Sequence, residues 1–209
     1  MAAIKERDKS KKRNEILRAA ESVFTGAGYE QASMDRISEI AGVSKRTVYN
    51  HFGSKDKLFE TIIYDLLEQR RKLEAIPYDA GKPLKDQLRA FAEAEIYIID
   101  SDKRLKLSRF LTVTFLNDLS FQKRTVGKFP NIYGMLTEWL AAAKADGRIH
   151  TDDVRLAARV FYAMVIGAIT WPALFRDTFD RQAVLPILNE IIAVFLAKYG
   201  AEADVSPAS

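Results

Sequence analysis

Residues 33–59, SMDRISEIAGVSKRTVYNHFGSKDKLF, require the chain to start and stop helices repeatedly within one short stretch. Ser33 is placed to cap a first short helix, because its side-chain oxygen can accept from a free backbone N–H of the first turn. Ile37, Ile40 and Ala41 recur three and four apart and predict the buried face of that helix. Gly42 allows a sharp turn that a β-carbon would resist, and Val43 plugs the angle between the helices. Ser44 caps a second helix, Lys45 to Phe52, whose inner face is Val48 and Phe52. Its remaining positions, Lys45, Arg46, Thr47, Tyr49, Asn50 and His51, are polar, cationic or aromatic with a hydroxyl. Such a face is poor material for a core and suits the groove of a nucleic acid.

The flanks extend this unit. Asn14–Ala27 reads as one amphipathic helix with Ile16, Leu17, Ala20, Val23 and Phe24 on a single face, ended by Gly28 and Tyr29. Gly53 breaks the second short helix and Ser54 caps a long one to about Ala75, with Leu58, Phe59, Ile62, Ile63, Leu66 and Leu67 as its apolar positions. Leu17, Val23, Phe24, Ile37, Ile40, Val43, Val48, Phe52 and Leu58 are expected to share one small core. GVSKRTVYNHFGSKDKLF, preceded by ILRAAESVFTGAGYEQASMDRISEIA, resembles the DNA-binding domain of the tetracycline-repressor (TetR/AcrR) family of bacterial transcription regulators over about residues 10–60. The resemblance implies a homodimer with two DNA-binding domains and a larger helical domain that binds a small organic effector. Residues matching the family's DNA contacts are Ser33, Arg46, Thr47, Tyr49, His51 and Lys55. Ser38 stands where the family more often has Ala. The family implies repression of a palindromic operator; a promiscuous multidrug sensor, or an activator with no dedicated ligand, is the alternative.

Roles follow from chemistry. The first turn of a recognition helix usually meets base edges, which brings forward Lys45, Arg46 and Thr47. The Arg46 guanidinium can bridge O6 and N7 of a guanine. Tyr49 and His51 are suited to phosphate contacts, and Lys55 sits beside a helix N-terminus whose free N–H groups favour phosphate. With Ser33, Ser44 and Asn50 these form the candidate DNA-binding set. Residues 1–57 hold 12 Lys+Arg against 8 Asp+Glu, whereas the rest of the chain holds 20 of each. The whole net charge of +4 therefore lies on the segment expected to meet phosphate. Lys5, Arg7, Lys9, Lys11, Lys12 and Arg13 form a stretch too polar to pack, which reads as a mobile arm. It either follows the DNA backbone or minor groove, or merely solubilises the N-terminus.

Beyond residue 57 the pattern is helical throughout, with no long alternating strand or Asn-Gly hairpin signal, so the fold class is all-α. The expected organisation is 1–57 as the arm and helix-turn-helix domain, 58–200 as a helical effector-binding and dimerisation domain, and 201–209 as a frayed tail. Pro77–Pro83 reads as a linker or turn. Helices are expected over Leu84–Asp100, Lys103–Asn117, Asn131–Ala145 (with Pro130 at its start), Asp153 to about Phe175 with Asp152 as cap, and Arg181–Tyr199. Leu119–Phe129 reads either as a short helix or as a loop. Phe91, Glu95, Ile98, Phe110, Thr114, Asn117, Trp139 and Phe161 are the candidate effector pocket, apolar groups with a few polar ones on inward faces. Each of them can equally be core. Glu95 stands out, because an unpaired buried carboxylate is costly. The last two helices carry too little polar surface for one burial partner. The symmetric solution is a homodimer through Phe161, Val165, Ala168, Leu188, Ile191 and Phe195, and the alternative makes both helices central in a monomer.

Composition removes other classes. With no cysteine in 209 residues, disulfides, thiolate zinc sites and cysteine nucleophiles are excluded. His51 and His150 are the only histidines, and neither has a partner at metal or triad spacing, so no metal, cofactor or enzyme activity is expected. The charged N-terminus has no apolar run behind it, and the longest strictly apolar stretch, Val160–Ile169, falls short of the roughly 20 residues that span a bilayer. A cytoplasmic protein with no membrane partner is expected.

Overall fold

Helices begin where a side-chain oxygen can cap them and end where glycine releases the backbone, and the chain follows that rule closely in its first third. The structure, a computed structural model, describes residues 2–127 and 133–201, with 2–6 described by backbone alone. The helices are α1 (Ala2–Ala27), α2 (Met34–Ile40), α3 (Lys45–Phe52), α4 (Lys55–Leu73), α5 (Leu84–Ile96), α6 (Asp102–Asn117), α7 (Leu119–Val126), α8 (Gly134–Ala145), α9 (Val154–Val165), α10 (Trp171–Ala173) and α11 (Arg181–Tyr199). No strand occurs among the described residues, and the fold is all-α.

The chain divides into two compact units. The first comprises Met1–Leu67 with Arg109–Thr125, and the second Glu68–Ser108 with Val126–Ser209. A single cut after residue 57 does not describe this division. The physical reason lies in aromatic packing: Phe110 and Phe121, from α6 and α7, join the core that α1 and α4 build. Phe59 meets Phe24 edge-on at 5.4 Å and Phe110 edge-on at 5.7 Å, and lies tilted against Phe121 at 5.2 Å. Phe24 stacks on Phe110 at 6.2 Å, and Tyr29 lies 5.4 Å from Phe121. Ile16, Leu17, Val23, Phe24, Ile37, Val48, Phe52 and Leu58 are buried here as their spacing predicts. Ile40 is not: it is 47% exposed, and α2 turns Met34, Ile37 and Ser38 inward instead. The Ser38 hydroxyl is satisfied by donating to the Asp35 carbonyl at 2.8 Å.

The second unit buries Leu88, Phe91, Leu136, Trp139, Leu140, Phe161, Tyr162, Val165, Leu188 and Phe195 in one core. An antiparallel bridge between Ile149 and Gly200 ties the segment after α8 to the end of α11, with the His150 N–H donating to the Tyr199 carbonyl at 2.7 Å. Asp153, one residue later than expected, caps α9 by accepting from the N–H groups of Arg155 and Leu156. The long helix expected to run to Phe175 changes character on the way. Residues Ile166–Thr170 form a π-helical turn ahead of Pro172. Proline cannot donate to the helical ladder, and a wider turn before it absorbs the loss. The α9–α10 segment Val154–Ala173 and α11 are long and apolar enough to cross a membrane by length and composition, yet both supply core residues of this unit.

The ambiguous stretch after Asn117 is helical as α7. The helix start at Pro130 and the tail beyond Ala201 lie outside the described residues. The mobile arm is corrected: α1 is one continuous helix from Ala2, so Arg7 to Arg13 extend the helix rather than precede it.

Candidate nucleic-acid interface

The recognition segment is fixed by its two caps. The Ser33 hydroxyl accepts from the Arg36 N–H at 3.2 Å to start α2. Ser44 accepts from the Thr47 N–H at 3.1 Å to start α3, and the hydroxyls of Ser44 and Thr47 are themselves 2.8 Å apart. Between the helices Gly42 has φ +64°, and after α3 Gly53 has φ +75°, both in the left-handed region that favours glycine. Val48 and Phe52 bury one side of α3, so Lys45, Arg46, Tyr49 and Asn50 face outward.

These outward groups are not equally available. Lys45 Nζ lies 2.6 Å from Asp35 Oδ1 on α2, and that hydrogen-bonded carboxylate raises the lysine pKa. Arg46 and Asn50, by contrast, have no partner among the described residues, which leaves the five N–H donors of the guanidinium free for a planar acceptor. Thr47 is half-buried and occupied in the cap. Tyr49 is exposed, and His51 is half-buried beside Phe52, their rings 6.0 Å apart. Burial first, then the charges of Lys9, Arg13 and Lys12, holds the His51 pKa below its usual value.

Lys55 has a structural task. Its ammonium donates to the Tyr29 carbonyl at 2.9 Å and reaches the Glu30 carbonyl at 3.4 Å, and it lies 4.5 Å from the centre of the Tyr29 ring. It therefore fastens the end of α1 to the start of α4. Tyr29 completes the joint by donating to Asp56, and burial with that bond raises the phenol's pKa.

The candidate pocket residues separate. Phe110, Thr114 and Asn117 belong to the first unit, where Phe110 joins the aromatic core, Thr114 donates to the Phe110 carbonyl at 2.8 Å, and Asn117 is exposed. In the second unit Phe91 and Trp139 meet at 5.8 Å, with the indole N–H donating to Gln87 Oε1 at 3.1 Å. Phe161 is wholly buried and Ile98 half-buried. Glu95 is paired: Arg70 Nη2 lies 2.7 Å from Glu95 Oε2 and 2.7 Å from Glu74 Oε1, while the Tyr162 hydroxyl donates to Glu74 at 2.6 Å. All four side chains are buried, and Arg70 Nε has no acceptor among the described residues. Burial raises both carboxyl pKa values against the opposing pull of Arg70. Sequence reading missed Arg70, Glu74 and Tyr162, although a lone carboxylate in an apolar stripe calls for a cation.

The proposed dimer residues also need correction. Phe161, Val165, Leu188, Ile191 and Phe195 are buried in the core of their own unit, and only Ala168 of that set is exposed. The apolar surface of these last elements is instead Leu156, Trp171, Phe175, Leu185, Ile187 and Val194, with Phe175 as much as 76% exposed.

Comparison with known proteins agrees with this architecture. The family model for bacterial regulatory proteins of the tetR family matches residues 16–62. That for the C-terminal domain of AefR-like transcriptional repressors matches residues 86–201. The chain is similar to the HTH-type transcriptional repressor NicS of Pseudomonas putida, at 31% identity over 92% of this chain and 85% of that protein. It is also 31% identical to the repressor AcnR of Corynebacterium jeikeium over 39% of this chain, spanning 41% of that relative's length. Among solved structures, a TetR family regulator from Pseudomonas syringae pv. tomato superposes with a TM-score of 0.73 at 27% identity, covering 90% of this chain and 96% of that one. A capped helix-turn-helix with an arginine exposed on its outer face and a helical second unit thus has one consistent identity: the chain belongs to the tetR family of bacterial regulatory proteins, a family of DNA-binding transcriptional regulators.

Proposed function

We propose that this chain is a homodimeric, cytoplasmic repressor that binds a palindromic operator through α3 and releases it when a small organic effector occupies the second unit. The observation that carries the DNA-reading half is the state of Arg46: exposed, on the first turn of α3, and without a partner among the described residues while its neighbour Lys45 is held by Asp35. A guanidinium in that condition can donate in parallel to guanine O6 and N7 without first breaking an ion pair. Tyr49, Asn50 and His51 share the face and supply phosphate or base-edge donors. Supporting dimerisation, Leu156, Trp171, Phe175 and Val194 leave apolar surface on the last elements that a second copy would cover. Supporting effector response, α4 runs from the first unit into the second and carries Arg70 at its far end, a buried guanidinium whose Nε–H has no acceptor among the described residues. A ligand that shifted that end would bias the start of the same helix, and DNA affinity changes only as far as the ligand prefers one state.

The test begins with selection of bound duplexes from a random pool, followed by anisotropy titrations. The selected site should be an inverted repeat with half-sites about one helical turn apart, bound by a species of twice the chain mass in sedimentation. Arg46→Ala should weaken that site by about 10- to 100-fold, and leave random duplex nearly unaffected. Equal losses on both duplexes would remove Arg46 as the base reader. A selected site lacking two-fold symmetry would remove the palindromic operator.

A further inference from the structure

From Ile16 onward the inward stripe of α1 is hydrocarbon: Ile16, Leu17, Ala20, Val23 and Phe24 are all buried. Steps of three, four and seven residues keep a helix on one face. Counted back by those steps, Arg13 stands four before Leu17, Lys12 four before Ile16, and Lys9 four before Arg13 and seven before Ile16. Because α1 is unbroken from Ala2, the stripe that buries apolar side chains in one half of the helix presents cations in the other. Lys9 and Lys12 are exposed, and neither has an ion pair or hydrogen bond among the described residues.

Arg13 locates this basic half. Its guanidinium is 5.9 Å from the centre of the Phe52 ring, the last residue of α3, and 3.5 Å from Asp65 on α4. The helix therefore passes the C-terminal end of the recognition helix at Arg13, and Lys9 stands one turn farther out. The His51 imidazole registers the same proximity, since Lys9, Arg13 and Lys12 are the charges that act on it. Arg13 is occupied by Asp65; the two lysines are not.

We propose that Lys9 and Lys12 bind DNA phosphates flanking the segment read by α3, making the first half of α1 a rigid helical clamp on the backbone. The inference rests on the DNA-binding reading of α3 and adds to it a contact outside the helix-turn-helix. A helix held in this way grips phosphates without reading bases, so its contribution is independent of sequence and strongly dependent on salt.

The test compares Lys9→Ala/Lys12→Ala with the wild-type chain on random-sequence duplex and on the selected site, by anisotropy across a salt series. Circular dichroism serves as the check on folding. The slope of log affinity against log salt should fall by roughly 0.9 for each phosphate that is no longer neutralised. Both duplexes should lose affinity by the same factor, and a hydroxyl-radical footprint should shrink at its outer edges. Lys9→Arg/Lys12→Arg should restore slope and footprint. If the wild type binds DNA and the double alanine variant keeps its slope and its footprint edges, the clamp is overturned while the reading of α3 stands. If the wild type binds no duplex at any salt concentration, both fall together.

Discussion

Replacing Arg70 with methionine removes the cation that pairs with two buried carboxylates. Arg70, Glu74 and Glu95 side chains are 6%, 3% and 7% exposed, and a single guanidinium nitrogen stands 2.7 Å from each acid. Without it Glu74 keeps the Tyr162 hydroxyl, while Glu95 loses its ion-pair partner. Stranding a buried charge in this way costs about 3–5 kcal/mol, and methionine fills most of the space, so cavity effects stay small. At about 4 kcal/mol the melting temperature should drop by roughly 8–16 °C for a chain of this size. The loss should also depend on pH. Burial already raises both acids above their ordinary value, so each contributes stability at low pH that disappears as pH rises through its folded-state pKa. Removing Arg70 takes away the interaction that opposed the rise. The gap between variant and wild type should therefore be small near pH 4.5 and widest near pH 8, by about the full amount above. Urea unfolding followed by tryptophan fluorescence is the assay, because Trp139 and Trp171 both lie in the second unit. Glu95→Gln is the companion, since it removes the surplus negative charge and should cost little at pH 8. A loss below about 1 kcal/mol at pH 8, or one independent of pH, would refute the account of this cluster.

Lys55→Ala removes the clasp on the Tyr29 and Glu30 carbonyls and should cost about 1 kcal/mol in thermal unfolding, besides weakening all DNA alike. Loss of binding with no loss of stability would make Lys55 a phosphate ligand alone. Gly42→Ala should cost about 1–2 kcal/mol from its left-handed φ only, because no atom of the described residues beyond its chain neighbours lies within 4 Å of the added carbon. A much larger loss would mean that the turn is packed as well as bent.

The helix-turn-helix was legible because its determinants are local. Ser33 and Ser44 act three residues away, and Gly42 and Gly53 act on their own backbone. The second unit was harder to read because its decisive partners are distant. Glu95 finds Arg70 across 25 positions, and nothing in the spacing of either names the other. In α9 and α11 apolar residues occur almost all round, so periodicity cannot say which side faces inward. Phe161, Leu188 and Phe195 went to the core and Leu156, Phe175 and Val194 to the surface, a choice made by neighbouring helices. The pocket set was divided for the same reason: Phe110 looks like any other inward aromatic until Phe24 and Phe59 claim it.

That claim bears on modularity. The family match for the DNA-reading part stops at residue 62, but the aromatic seam that stabilises it draws on Phe110 and Phe121, far along the chain. A chimera that borrows only the first 62 residues from a relative inherits a reader whose inner wall belongs to its host. Swapping DNA specificity between such proteins therefore has two routes. The seam can be transplanted with the reader, or the exchange can be confined to the outward face of α3, which the seam does not touch.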